Sequence, residues 1–247
     1  MAKTAFLFPG QGSQSVGMVS SLAEHSPVIR NTFEEASSAL GYDLWEITDS
    51  GPAEKLGQTQ VTQPALLAAG IATWRVWKES GGPDPDFMAG HSLGEYTALV
   101  AAGAIDFSAA VSLVAQRGEM MQAATPPGTG AMAAVLGLDD EVLAGVCEQA
   151  AEGQVVSCAN FNSPGQIVIA GNKEAVDRAC VLATGAGARR AIPLAVSVPS
   201  HCALMAPAAD GMATVLESVE ISACRVPVLH NVDTEARDNA DDIRAAL

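Results

Sequence analysis

The sequence predicts an α/β fold: a larger α/β core carrying an inserted ferredoxin-like (βαββαβ) small domain. Three observations predict it. Short apolar runs at residues 4–8 and 87–89 each feed a glycine-containing turn. Residues 129–196 change rhythm, with four strand-like and two helical runs in the order β-α-β-β-α-β. The 247-residue chain is 49% hydrophobic and 17% charged, which suits a large domain with a smaller one and excludes a disordered chain. The expected division is a discontinuous core, 1–128 and 197–247, around a small domain, 129–196.

The elements follow in order. Residues 4–8 read as a short buried strand, ended by Pro9 and Gly10. Residues 27–40 space Val28, Phe33, Ala36 and Leu40 as a helix, and Gly41 stops it. Thr62-Gln63-Pro64 opens another helix, with Pro64 in its first turn. Its body, 65–78, is apolar almost all round and therefore buried. After the breakers at 81–85 come a strand at 87–89 and a helix at 95–104. In the small domain, strands are expected at 131–138, 155–159, 166–170 and 191–196. Helices are expected from Asp139 to about 151 and from Asn172 to about 184, with a turn at 162–165. Residues 241–247 begin a helical pattern too short to stand alone.

Charge narrows the function classes. The formal net charge is −15, so the chain is a poor match for phosphate backbones and for anionic membranes. No segment approaches the roughly 20 apolar residues needed to span a bilayer, and the amino-terminal apolar run is too short for a signal peptide. Cys147, Cys158, Cys180, Cys202 and Cys224 are odd in number and form no C-x-x-C pair. Free thiols in a reducing cytoplasm are expected, with no disulfide framework and no metal site.

Gly90-x-Ser92-x-Gly94 sits between strand and helix, the context of a nucleophile elbow. Such a turn exposes the Ser92 hydroxyl and aims the Leu93 N–H at a developing oxyanion. The alternative is a chance match in a chain rich in glycine and serine. A serine needs a base. Of four histidines, His25 reads as surface, His91 diverges from Ser92, and His230 reads as an ordinary strand-end residue. His201, in a loop stiffened by Pro199, is narrowly ahead. Arg117, on a mostly apolar helix, either snorkels or pairs with a carboxylate, or clamps a substrate carboxylate. The loop 9–14 is glycine-rich but has neither P-loop nor dinucleotide spacing.

With these residues in place, the chain resembles the malonyl-CoA:acyl carrier protein transacylases of bacterial fatty-acid synthesis. The match is carried by Phe8-Pro9-Gly10-Gln11-Gly12-Ser13-Gln14, Thr62-Gln63-Pro64-Ala65-Leu66, Gly90-His91-Ser92-Leu93-Gly94-Glu95-Tyr96, Val198-Pro199-Ser200-His201 and Arg117. It implies an α/β-hydrolase-like core. It also implies Ser92 as nucleophile, His201 as base and then acid, and the N–H groups of Gln11 and Leu93 as oxyanion hole. Arg117 would bind the malonyl carboxylate, and Gln63, His91 and Asn160 would line the pocket. Members of the family run several dozen residues past Leu247 and draw from there a glutamine carbonyl that orients the histidine.

The resemblance implies malonyl-CoA and acyl carrier protein as partners, no cofactor and a monomer in the cytoplasm. Arg189-Arg190 is the only adjacent basic pair and is the candidate dock for an acidic carrier protein. Two alternatives remain: a serine hydrolase of the same fold, and a silent carrier-binding fragment. A third variant keeps the chemistry and serves polyketide synthesis.

Overall fold

The computed structural model describes residues 3–194, 196 and 198–247. Met1 and Ala2 of the amino-terminal run, Ala195 of the fourth small-domain strand and Ser197 at the start of the His201 loop lie outside the described residues. The chain divides into two compact units, Met1–Gly118 with Thr214–Leu247, and Glu119–Ala213.

The first unit begins with β1 (Ala5–Phe8), then α1 (Ser20–Ala23), α2 (Pro27–Leu40), α3 (Leu44–Ser50), α4 (Ala53–Leu56) and α5 (Thr59–Glu79). Next come β2 (Phe87–Gly90), α6 (Leu93–Ala101) and α7 (Phe107–Ala123). The second unit holds β3 (Gly130–Leu136), α8 (Asp140–Ala151), β4 (Val156–Ser163), β5 (Gln166–Asn172), α9 (Lys173–Gly185) and β6 (Arg190–Pro193). The chain ends with α10 (Ala206–Glu217), β7 (Val228–Leu229) and α11 (Ala240–Ala246).

In the first unit β1, β2 and β7 form a parallel sheet in that order. Central β2 buries Met88 completely. The expected burial of β1 is corrected: as an edge strand it has a partner on one side only, and Leu7 is 77% exposed. Helix α2 has the expected bounds, with Gly41 at φ 75° closing it. Helix α5 starts three residues before the expected Thr62, so Pro64 lies inside it. The early start is fixed by Val61 and Thr62 N–H groups on the Gln58 carbonyl and by the Thr62 hydroxyl on the Leu56 carbonyl. Helix α6 ends at Ala101 rather than at 104, because Gly103 turns left-handed at φ 78° and Ala104 N–H returns to the Leu99 carbonyl. The short α11 is held by its surroundings: Ile243 is fully buried, and Arg244 donates to the Leu216 and Val219 carbonyls.

The second unit contains an antiparallel sheet in the order β4-β5-β3-β6, the ferredoxin-like arrangement. Leu143, Ile167, Ile169 and Ala179 are fully buried in the core between this sheet and α8 and α9. Strand β4 runs on to Ser163 through two irregularities of register, so the turn expected at 162–165 narrows to Pro164-Gly165. Strand β6 stops at Pro193, short of the expected 196. This unit is wider than residues 129–196. Met120 and Met121 at the end of α7, and Ala124 just beyond it, pack with Val198, Leu204, Met205 and Ala208 around the His201 loop.

Candidate active site

Ser92 stands between β2 and α6 with φ 52° and ψ −109°, a backbone conformation that costs on the order of 1–3 kcal/mol for a non-glycine residue. Three glycines make room for it. A Cβ on Gly90 would stand 1.9 Å from the Gly94 carbonyl carbon, and one on Gly94 would stand 2.2 Å from the Phe8 oxygen. A Cβ on Gly10 would stand 2.5 Å from the His91 oxygen. The loop bearing Gln11 therefore lies against the turn bearing Ser92. Leu93 is the first residue of α6, so its N–H has no partner within the helix.

Arg117 reaches this turn from α7. Its Nη2 donates to Ser92 Oγ at 3.2 Å and its Nη1 to Gln63 Oε1 at 2.9 Å. The guanidinium also stands over the Tyr96 ring, 5.5 Å from the centroid. The sequence left snorkelling, pairing with a carboxylate and clamping a substrate carboxylate open; in the structure the side chain reaches the Ser92 hydroxyl and the Gln63 amide. Gly118 makes this reach possible, because a Cβ there would meet the Gln60 backbone at 2.5 Å. Helices α5 and α7 thus approach closely where Gln63 and Arg117 face each other. Gln63 is itself buried. A cation already aimed at the nucleophile can neutralise an anion delivered there.

Behind the turn lies a polar group of a kind the sequence reading missed. His230 is corrected from an ordinary strand-end residue. It is 1% exposed, and its Nδ1 stands 2.6 Å from Glu95 Oε1. The other Glu95 oxygen accepts the Asn231 N–H at 3.0 Å. The Asn231 side chain straddles the turn: its Oδ1 accepts the Ser92 N–H at 2.7 Å and its Nδ2 donates to the Gly90 carbonyl at 2.6 Å. Burial pushes the Glu95 carboxyl above its ordinary value, against the pull of Asn231, His230 and Arg117. One signal was available: Glu95 is the one charged residue on a mostly apolar helix, where a carboxylate needs a buried partner.

The other expected residues are placed as follows. Gln11 is half-buried, its side-chain amide 3.4 Å from the Thr59 hydroxyl, and His91 is exposed. His25 is at the surface as expected, with Nδ1 2.9 Å from the Ser21 carbonyl. The first unit therefore brings together Ser92, Leu93, Gln63 and Arg117, with the Gln11 loop beside them. In the second unit, Asn160 lies in β4 opposite Val168, and Arg189 and Arg190 are exposed at the start of β6. His201 has φ 61° in a loop whose Pro199 sits where a Gly130 Cβ would stand, 2.4 Å from the ring. Among the described residues no group of three His, Cys, Asp or Glu could hold a metal, and no helix is long and apolar enough to cross a membrane.

Residues 5–245 match the family described as acyl transferase domain. The malonyl CoA-acyl carrier protein transacylase of Escherichia coli strain K12 is 61% identical over all of this chain, which covers 80% of that protein. An acyl carrier protein S-malonyltransferase from Vibrio cholerae superposes with a TM-score of 0.96 at 58% identity, covering 99% of this chain and 80% of that one. A malonyl-transacylase solved in complex with its type II PKS acyl-carrier protein gives 0.98 at 57% identity, covering 99% and 79%. The α/β fold, a hydrolase-like core with a small ferredoxin-like domain, is shared with these structures.

The raised Glu95 carboxyl makes a prediction about stability. Above about pH 4.5 the unfolded glutamate has lost a proton that the folded protein still holds, so this group lowers stability as pH rises through that interval. Glu95→Gln removes the titration. Denaturant unfolding at a series of pH values should show a shallower loss of stability on the alkaline side for the variant than for the parent. Identical slopes would contradict the assignment.

Proposed function

The chain belongs to the acyl transferase domain family, and from that premise we propose that it moves a malonyl group from malonyl-CoA to the phosphopantetheine thiol of acyl carrier protein. It is an enzyme, an [acyl-carrier-protein] S-malonyltransferase serving fatty-acid synthesis. The observation that carries the reading is the Arg117 guanidinium on the Ser92 hydroxyl, a cation at the nucleophile that a carboxylated acyl group would pair with.

The reaction is a ping-pong transfer. Ser92 Oγ attacks the thioester carbonyl while His201 takes its proton. The N–H groups of Gln11 and Leu93 hold the tetrahedral oxyanion, each such donor worth about 3 kcal/mol. The carbon–sulfur bond breaks, His201 returns the proton to the CoA sulfur, and a malonyl-Ser92 ester remains. The carrier thiol then gives its proton to His201 and forms a new carbon–sulfur bond, and the bond to Ser92 Oγ breaks with the proton returned to serine. No cofactor takes part. Gln63 sets the Arg117 fork, and His91 and Asn160 line the malonyl pocket; the 2.9 Å bond from Arg117 to Gln63 supports the first of these roles.

A neutral acetyl group would leave the Arg117 charge unpaired, which disfavours it. Water in place of the carrier thiol would make the chain a hydrolase, and a silent carrier-binding fragment would need no nucleophile; the named activity of the relatives and the positioned Arg117 favour transfer. The enzyme acts as a monomer in the cytoplasm; its five free cysteines suit a reducing compartment. Arg189 and Arg190, exposed on a chain of net charge −15, form the local basic site that docks an acidic carrier protein.

Two measurements test these roles. Arg117→Ala should cut kcat/KM for malonyl transfer by about 100-fold and raise the relative rate with acetyl-CoA. An equal loss for both acyl groups would contradict the clamp. Charge reversal at Arg189 and Arg190 should raise KM for the carrier protein several-fold and spare acylation by malonyl-CoA. An unchanged KM would remove the dock.

A further inference from the structure

We infer that Asn231 is a positioning residue for the nucleophile, a side-chain splint that holds the Ser92 turn in its reactive shape and is itself seated by the buried Glu95–His230 pair. The inference rests on the proposed acyl-enzyme chemistry at Ser92. It goes beyond that chemistry because Asn231 need not touch the substrate.

The geometry carries it. A turn with Ser92 at φ 52° is not a resting conformation of an L-residue, so something must hold it. The flanking glycines permit the turn but do not enforce it. The Asn231 amide does, by bonding to both sides of the residue that bends. Its oxygen takes the Ser92 N–H at 2.7 Å and its nitrogen gives to the Gly90 carbonyl at 2.6 Å. This engagement also keeps the Ser92 N–H away from the oxyanion and leaves that task to the next N–H, on Leu93. Asn231 is seated in turn through its own N–H on Glu95 Oε2, while Glu95 Oε1 meets His230 Nδ1 at 2.6 Å. Among the described residues His230 Nε2 is buried with no hydrogen-bond partner, so the hydrogen bonding of the imidazole is directed at Glu95. The amide is needed because the site asks for one donor and one acceptor on a single planar group. Leucine, alanine or a carboxylate cannot supply both.

That requirement gives a test a merely structural residue would not pass. Asn231→Asp offers donor and acceptor only as the neutral acid; as a carboxylate it opposes the Gly90 carbonyl with a second oxygen. The charged groups around it are Glu95 on α6, His230 beside it, Arg117 from α7 at the Ser92 hydroxyl, and Asp233 paired with Arg237 in the following loop. None of these is changed in the variant, so the ratio of variant to parent rate isolates position 231.

Acylation rates of parent, Asn231→Ala and Asn231→Asp would be measured across pH with malonyl-CoA, and separately with a fluorophosphonate, which labels an activated serine without needing a malonyl group. The splint predicts a fall in kcat of about 10- to 100-fold for Asn231→Ala, the scale of a small misplacement of reacting atoms. It predicts an unchanged KM for malonyl-CoA, since Arg117 and Gln63 stay in place. It predicts an Asn231→Asp to parent ratio that climbs as pH falls. A flat ratio, or an Asn231→Ala rate equal to the parent's, overturns the inference. If Asn231→Ala does not fold, the Asn231→Asp ratio alone decides. A parent labelled by fluorophosphonate and not by malonyl-CoA overturns the malonyl reading while the variant ratios still judge the splint. A parent labelled by neither overturns both.

Discussion

The backbone of one residue, Ser92, sets the terms for the first unit. At φ 52° it cannot be reached by relaxation, only imposed by neighbours. Strand β2 brings the chain in between β1 and β7, and α6 leads it away. The turn between them is tight enough that Gly90, Gly94 and Gly10 each occupy a space no Cβ could share. The short parallel sheet matters for function because it fixes where this turn occurs and which loop, that of Gln11, lies against it.

Electrostatics then decides what the serine is for. The chain as a whole is strongly acidic, yet the Arg117 guanidinium stands 3.2 Å from the Ser92 hydroxyl. That cation is held by Gln63, by the Tyr96 ring and by a close helix–helix approach at Gly118. A plain hydrolase of neutral esters has no use for such a charge. An enzyme selecting a carboxylated thioester does, since a half-buried guanidinium held on the nucleophile disfavours an acyl group that leaves it unpaired. Glu95 sits on the other side of the turn and is turned away from the hydroxyl, its oxygens taken by His230 and Asn231. The carboxyl is therefore engaged behind the turn, while the cation reaches the hydroxyl.

Much of this was legible in the sequence. The amphipathic α2, the βαββαβ order and the Gly-x-Ser-x-Gly turn are local patterns, and each appears where periodicity and turn chemistry put it. What failed was set by partners outside the local pattern. The burial of β1 depends on how many strands flank it, which no window of five residues records. The start of α5 depends on bonds to Gln58 and Leu56 just outside the apolar run. His230 was misjudged because its partner, Glu95, is 135 residues away. Asn231 gave no signal at all, since an asparagine after a strand is an ordinary turn residue until the Ser92 N–H is seen on its side chain.

Ser92 carries the malonyl group between donor and acceptor in the proposed reaction. Intact-protein mass after brief exposure to malonyl-CoA tests it most directly, with Ser92→Ala alongside. The parent should gain one malonyl adduct and the variant none, and the adduct should discharge when acyl carrier protein is added. A folded parent that gains no adduct, or a variant that gains one, would contradict it.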